Sequence, residues 1–80
     1  MYILSTQLSE NCKLYEKEEY TLSGVPMTMY RIYDPVVGDY VGHVYLNNST
    51  RELSVYSDHY IIDTEENVST IAEIMDRLGD

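Results

Sequence analysis

Three side chains in this sequence could serve as a nucleophile, a base or a soft metal ligand: Cys12, His43 and His59. Their spacing matches none of the short patterns, such as C-x-x-C or H-x-x-x-H, that bring metal ligands together. Nothing in the pattern indicates that the thiol meets an imidazole, as nucleophilic catalysis would require. A lone cysteine in a small domain is typically inert. We therefore expect no metal, no cofactor and no catalytic centre built on these residues.

The carboxylates and glycines give no catalytic signal either. Fourteen Asp and Glu residues are present, so some close carboxylate pair is inevitable and does not by itself indicate acid–base catalysis. The acids around position 65 lack the EF-hand pattern that would predict a calcium site. The four glycines are too scattered to form a loop that cradles phosphate. The sequence is therefore predicted to be non-enzymatic.

The balance of charge narrows the possible partners. Fourteen acids against five bases give a net charge of −9, which disfavours direct contact with nucleic acid and with an anionic membrane surface. No apolar run approaches the roughly 18–20 residues of a membrane span. A single cysteine allows no internal disulfide, and the first residues do not resemble a signal peptide, so we expect a cytoplasmic location. A basic protein surface is the favoured partner, and the alternative is that the charge serves solubility alone.

The acids concentrate near the C-terminus. The segment from Asp58 to Asp80 carries −6 of the total −9. An acidic ridge that contacts a basic partner, with neighbouring tyrosines supplying contact area, is predicted from acids that recur there at helical spacing: Glu66, Glu73, Asp76 and Asp80. The alternative is an ordinary solvated helix face. The predicted partner-binding residues are Asp58, Asp63, Glu65, Glu66, Glu73, Asp76, Tyr45 and Tyr56.

The helix that would carry this ridge is the clearest element of the sequence. An apolar stripe with a period of 3.6 residues predicts a helix over residues 64–78. We expect Asp63 to cap its first turn together with Glu66, and Glu73 to pair with Arg77. The stripe consists of Val68, Ile71, Ala72, Met75 and Leu78.

Alternating patterns before this helix predict strands. Residues 43–46 and 51–56 form a predicted hairpin around Asn47-Asn48-Ser49-Thr50, in a register that pairs Leu46 with Arg51 and Val44 with Leu53. The run Met27–Tyr33 is a further strand. Thr28, Tyr30 and Ile32 are favoured as its inward face, and the alternative inward face is Met27, Met29 and Tyr33. In this arrangement Val41, His43, Tyr45 and Tyr56 share the opposite face, and Arg31 and Tyr33 are candidates to join them.

The N-terminal quarter is read in two ways. Leu4, Leu8, Cys12 and Tyr15 have helical spacing and favour a helix over residues 5–18, whereas the alternative makes all of residues 13–22 a strand. The favoured fold is α+β, with one domain over residues 1–80. It has an antiparallel sheet of three or four strands, and the C-terminal and N-terminal helices pack on one face. A short strand at residues 60–62 would lead into the last helix.

A short, cysteine-poor chain with acids along one helix resembles, at the level of class, the small acidic inhibitors encoded by bacteriophages, including DNA mimics and anti-CRISPR proteins. The residues that carry the resemblance are Glu65, Glu66, Glu73, Asp76 and Asp80. It implies that the chain occludes a nucleic-acid-binding site on a host protein in the host cytoplasm. The competing hypothesis is a structural or assembly subunit that associates through its tyrosine-rich sheet face, including as a homodimer.

Overall fold

The computed structural model describes the backbone of residues 4–58 and 60–78, and the side chains within those ranges from residue 6 onward. The described residues form six strands followed by one helix. The elements are β1 (Leu4–Ser5), β2 (Lys13–Leu22), β3 (Val25–Asp34), β4 (Asp39–Asn47), β5 (Leu53–Ser57), β6 (Tyr60–Ile61) and α1 (Glu65–Leu78). The α+β class is confirmed.

Strands β2 to β5 form one antiparallel sheet in which neighbours in sequence are neighbours in space. Ser23 and Gly24 connect β2 to β3 in a two-residue turn, with φ angles of 50° and 83°. Such turns match the twist of the strands that they join. The short strands β1 and β6 pair in parallel as a separate two-stranded sheet.

The helix α1 covers one face of the four-stranded sheet. Ile71 and Ile74 on α1 belong to the same buried cluster as Ile32 on β3 and Val44 on β4. Ile62, just after β6, is fully buried in this cluster as well. Each such side chain contributes roughly 1.5–3 kcal/mol when it leaves water, so this single layer of aliphatic residues is the core of the fold. The predicted inward face of β3 is confirmed, since Thr28 and Ile32 are buried and Tyr30 packs against the cluster.

The predicted N-terminal helix over residues 5–18 is wrong, and the strand alternative over residues 13–22 is right. The helical spacing was misleading because Leu8 and Cys12 are both buried without lying on a helix. A turn between them, closed by the Cys12 amide donating to the Ser9 carbonyl at 3.1 Å, returns the chain to the core. In β2 a bulge near Glu16, whose φ is 52°, then interrupts the alternation of side chains.

The C-terminal helix is confirmed, but its buried line and its cap differ from the prediction. The side chains that α1 buries are Asn67, Ile71 and Ile74, whereas Leu78 is exposed. Thr64 caps the helix, because its hydroxyl accepts a hydrogen bond from the Asn67 amide at 3.2 Å. Asp63, the predicted cap, instead accepts a hydrogen bond from the Ser57 hydroxyl at 3.2 Å.

The β4–β5 hairpin is confirmed, but its register is shifted by two residues from the prediction. Leu46 pairs with Leu53 and Val44 pairs with Val55. Because side chains alternate with a period of two, an even shift leaves every residue on its predicted face. Arg51, with a φ of 66°, belongs to the longer connecting loop rather than to the ladder.

Val41 lies on the opposite face from the one predicted. A bulge places Ile32 opposite Gly42 and Tyr33 opposite Tyr40, so Val41 is the extra residue in β4. The alternation changes phase there. Val41 is therefore buried in the core. Tyr40 occupies the position on the opposite face that was predicted for Val41.

Candidate binding surfaces

The face of the four-stranded sheet away from α1 is lined with tyrosines. We call it the open sheet face, because no element among residues 4–58 and 60–78 packs on it. Its position follows from the registers: along each strand, the residues that alternate with the buried positions Thr28, Ile32 and Val44 point away from the helix, and so do the residues that they pair with on the neighbouring strands. Its tyrosines are Tyr15, Tyr20, Tyr33, Tyr40, Tyr45 and Tyr56.

At one end of this face, three rings form a cluster. Tyr33 and Tyr40 meet edge to face with centroids 5.4 Å apart, and Tyr15 packs against both. The Arg31 guanidinium lies 3.9 Å from the centroid of the Tyr40 ring and donates to the Glu16 carboxylate at 2.8 Å. The cation–π contact and the ion pair hold the guanidinium against the sheet, so Arg31 is not a freely moving cation.

At the other end, Tyr45 and Tyr56 meet edge to face at 5.2 Å. They border a shallow depression of about 430 Å³ whose remaining lining includes Tyr20, Leu22 and Met27. These side chains are large, and Leu22 and Tyr56 are more than half exposed. A cluster of large apolar side chains exposed to solvent in this way is typical of an interaction site rather than of a solvated sheet face.

His43 and Asp58 form the one His–carboxylate contact among the described side chains. The His43 Nδ1 lies 3.2 Å from an Asp58 carboxylate oxygen, and both side chains are half-buried. This pair ties β4 to the end of β5 on the side of the open sheet face, and Asp58 is therefore not a bare carboxylate. His59 lies outside the described residues.

The carboxylates of α1 line the opposite side of the molecule. We call this set the acidic helix surface, and all its members are exposed. The Glu73–Arg77 pair is present at 3.9 Å, with both side chains largely in water. The Glu66 carboxylate accepts a long hydrogen bond of 3.5 Å from the Gln7 side chain. The acidic helix surface consists of Asp63, Glu65, Glu66, Glu73 and Asp76; Asp80 lies outside the described residues.

The predicted binding residues therefore fall into two groups that point in opposite directions. Tyr45, Tyr56 and Asp58 are on the side of the open sheet face, whereas the five carboxylates of the acidic helix surface are on the helix side. One flat partner can contact only one of the two groups. The sequence did not identify Tyr15, Tyr20 and Tyr40 as residues of the open sheet face. The bulges in β2 and β4 change the alternation of side chains next to Tyr15 and Tyr40, and a bulge cannot be predicted from the local sequence pattern.

Cys12 is poorly suited to nucleophilic chemistry. It is only 4% exposed and belongs to the core cluster. Burial, reinforced by the carboxylate of Asp34, raises the pKa of its thiol from 9.0 to about 11. The reactive thiolate is thus scarce at neutral pH. Its side chain and that of His43 are on opposite faces of the sheet. Within the described ranges, no three His, Cys, Asp or Glu side chains are grouped as metal ligands would be.

Comparison with known proteins found no matching family model, no matching curated protein and no matching solved structure. No helix in the described part of the chain is long and apolar enough to cross a membrane. Functional inference therefore depends on the two surfaces themselves.

Proposed function

We propose that this chain is a non-catalytic binding protein that contacts a basic surface of another protein through its acidic helix surface. One observation carries the proposal: five exposed carboxylates lie on and just before α1, and Arg77, 3.9 Å from Glu73, is the one cation within the described residues that pairs with any of them. Exposed carboxylates that no cation neutralises produce an electrostatic field that extends into solvent, where it steers oppositely charged proteins and accelerates association.

The partner class that fits best is a protein that uses Lys and Arg to hold nucleic acid. Such a surface is built to accept a row of negative charges. A helix with Glu66, Glu73 and Asp76 on its outer side offers carboxylates about one to two turns apart. The chain would then act as an inhibitor that occludes the nucleic-acid-binding site, and its effect would be competitive with nucleic acid.

Charge reversal on the helix tests this proposal. In the triple variant Glu66→Lys, Glu73→Lys, Asp76→Lys, binding to a Lys/Arg-rich peptide should weaken at least about tenfold. That estimate takes three exposed ion pairs at about 0.5 kcal/mol each. Amide chemical shifts during the titration should move along α1 and stay constant on the open sheet face.

A matched control separates the position of the charge from its amount. Glu10, Glu18 and Glu52 are exposed acids outside α1, and changing all three to Lys alters the net charge by the same amount. We expect this control to bind the peptide within about threefold of the unaltered chain, because the field of exposed charges decays over a Debye length of about 10 Å at 0.1 M salt. Equal loss in the two triple variants would show that net charge alone drives binding and would refute the proposal. Pull-downs with both triples extend the test to natural partners.

A further inference from the structure

The open sheet face has a composition unlike the rest of this acidic molecule. Its fixed charges are two bases, Lys13 and Arg31, and three acids, Glu16, Glu18 and Asp58. It therefore carries about −1 of the net −9. Arg31 and Asp58 are moreover held by contacts within the chain. The face is thus close to neutral, and it is covered mainly by tyrosine, methionine and leucine side chains.

From the charge, area and composition of this surface, we propose that the open sheet face is the interface of a homodimer in which two copies pack sheet against sheet. The charge distribution favours a second copy over other occupants. A basic partner finds its complement on the acidic helix surface, not here, and nucleic acid is repelled by the chain as a whole. Two copies of a chain with a net charge of −9 repel each other least when they approach through their near-neutral faces. In that arrangement the acidic helices are on the outer sides of the dimer.

The area of the face is sufficient for such a contact. The four strands have ten, ten, nine and five residues. At about 3.3 Å per residue and about 4.8 Å between strands, the face measures roughly 540 Å². Two copies would bury about 1,100 Å², just above the roughly 1,000 Å² that a specific interface should exceed. Contacts of this size are typical of weak, transient association.

The chemistry of the face also suits self-association. Tyrosine is enriched in interface cores because it buries a large ring while its hydroxyl stays hydrogen-bonded. The depression beside Tyr45 and Tyr56 can receive a ring of the other copy. In a two-fold arrangement this contact is made twice, once in each direction.

Sedimentation equilibrium from about 1 to 500 µM tests the proposal. We expect a monomer–dimer equilibrium that Tyr56→Glu weakens at least tenfold, because the new carboxylate faces its symmetry mate or is desolvated. Tyr20→Glu, on β2, should act in the same direction and provides a second variant if the first fails to fold by circular dichroism. Leu78→Glu is the matched control, since Leu78 is 57% exposed and Tyr56 is 56% exposed, but Leu78 lies at the end of α1. We expect it to leave dimerisation unchanged.

Salt distinguishes this contact from that of the acidic helix surface. Raising the ionic strength from about 0.1 M to 1 M shortens the Debye length from about 10 Å to 3 Å. It should strengthen the dimer by screening repulsion between two −9 chains, whereas it should weaken binding to a basic peptide. The proposal is overturned by a chain that remains monomeric at 500 µM, which would leave the face to a different protein. It is equally overturned by a dimer that salt dissociates, or by one that Leu78→Glu disrupts as much as Tyr56→Glu.

Discussion

Replacing Asn67 with alanine should destabilise the fold far more than its place on an acidic helix suggests. The side chain is only 1% exposed and makes two hydrogen bonds to a segment about sixty residues away in sequence. Its Oδ1 accepts from the Leu8 amide and its Nδ2 donates to the Thr6 carbonyl, both at 2.8 Å. Asn67 therefore attaches the segment before β2 to the first turn of α1.

The expected loss can be estimated from these contacts. Two hydrogen bonds contribute about 1 kcal/mol each, and leaving the buried Leu8 amide without its acceptor costs at least about 1 kcal/mol more. The higher helix propensity of alanine returns about 0.5 kcal/mol. The net loss is about 2.5 kcal/mol, a large part of the roughly 4–12 kcal/mol available to an 80-residue domain. The melting temperature should fall by roughly 10–20 °C.

Urea denaturation followed by far-UV circular dichroism measures this loss, and amide exchange at Leu8 reports the released contact directly. Thr70→Ala is the control, because it removes one hydrogen bond from the same helix, from the Thr70 hydroxyl to the Glu66 carbonyl, at an exposed position. It should cost less than about 0.5 kcal/mol. If Asn67→Ala also costs less than about 1 kcal/mol, or leaves Leu8 protected from exchange, the argument that Asn67 holds the two segments together is wrong.

Two further predictions concern the core. Gly42→Ala should cost more than about 2 kcal/mol, because the added methyl would overlap the Tyr56 carbonyl oxygen and lie 2.6 Å from Ile62 Cδ1; urea titration measures this, and an unchanged midpoint would contradict the packing described. Cys12, with its pKa raised from 9.0 to about 11, should react with iodoacetamide at pH 8 much more slowly in the folded than in the unfolded chain. Between pH 9 and 11 the Cys12 thiol keeps its proton in the folded state and loses it in the unfolded chain. The free energy of unfolding should therefore fall as pH rises from 9 to 11. Cys12→Ala should lack that part of the decline, and identical pH profiles would refute it.

The sequence predicted those elements whose patterns are long and locally consistent. The stripe that includes Ile71 and Met75 repeats over three turns of α1. The alternation in β4 and β5 gives the correct buried face even though the predicted register was wrong by two residues. A period of 3.6 or of 2 is a direct consequence of backbone geometry, so it can be read without knowing what packs against it.

The failures occurred where tertiary contacts decide the local structure. β2 is an edge strand whose side chains are mostly exposed, so it shows no apolar alternation. The bulges at Glu16 and Val41 change which face a residue occupies. Asn67 is polar, and only its distant backbone partners make it a buried residue. The exposed carboxylates of α1 were identifiable because exposure follows from helical spacing, whereas the membership of the open sheet face depends on the bulges.

The opposed orientation of the two surfaces has a consequence for affinity. If two copies join through their sheets, the dimer displays two identical anionic helices on its outer sides, pointing away from each other. Such a dimer could bridge two basic sites on separate molecules, or engage a repeated target with an avidity well above that of one helix. Potency would then depend on protein concentration through dimerisation, and dilution below the dissociation constant of the dimer would abolish bridging while each helix kept its own affinity.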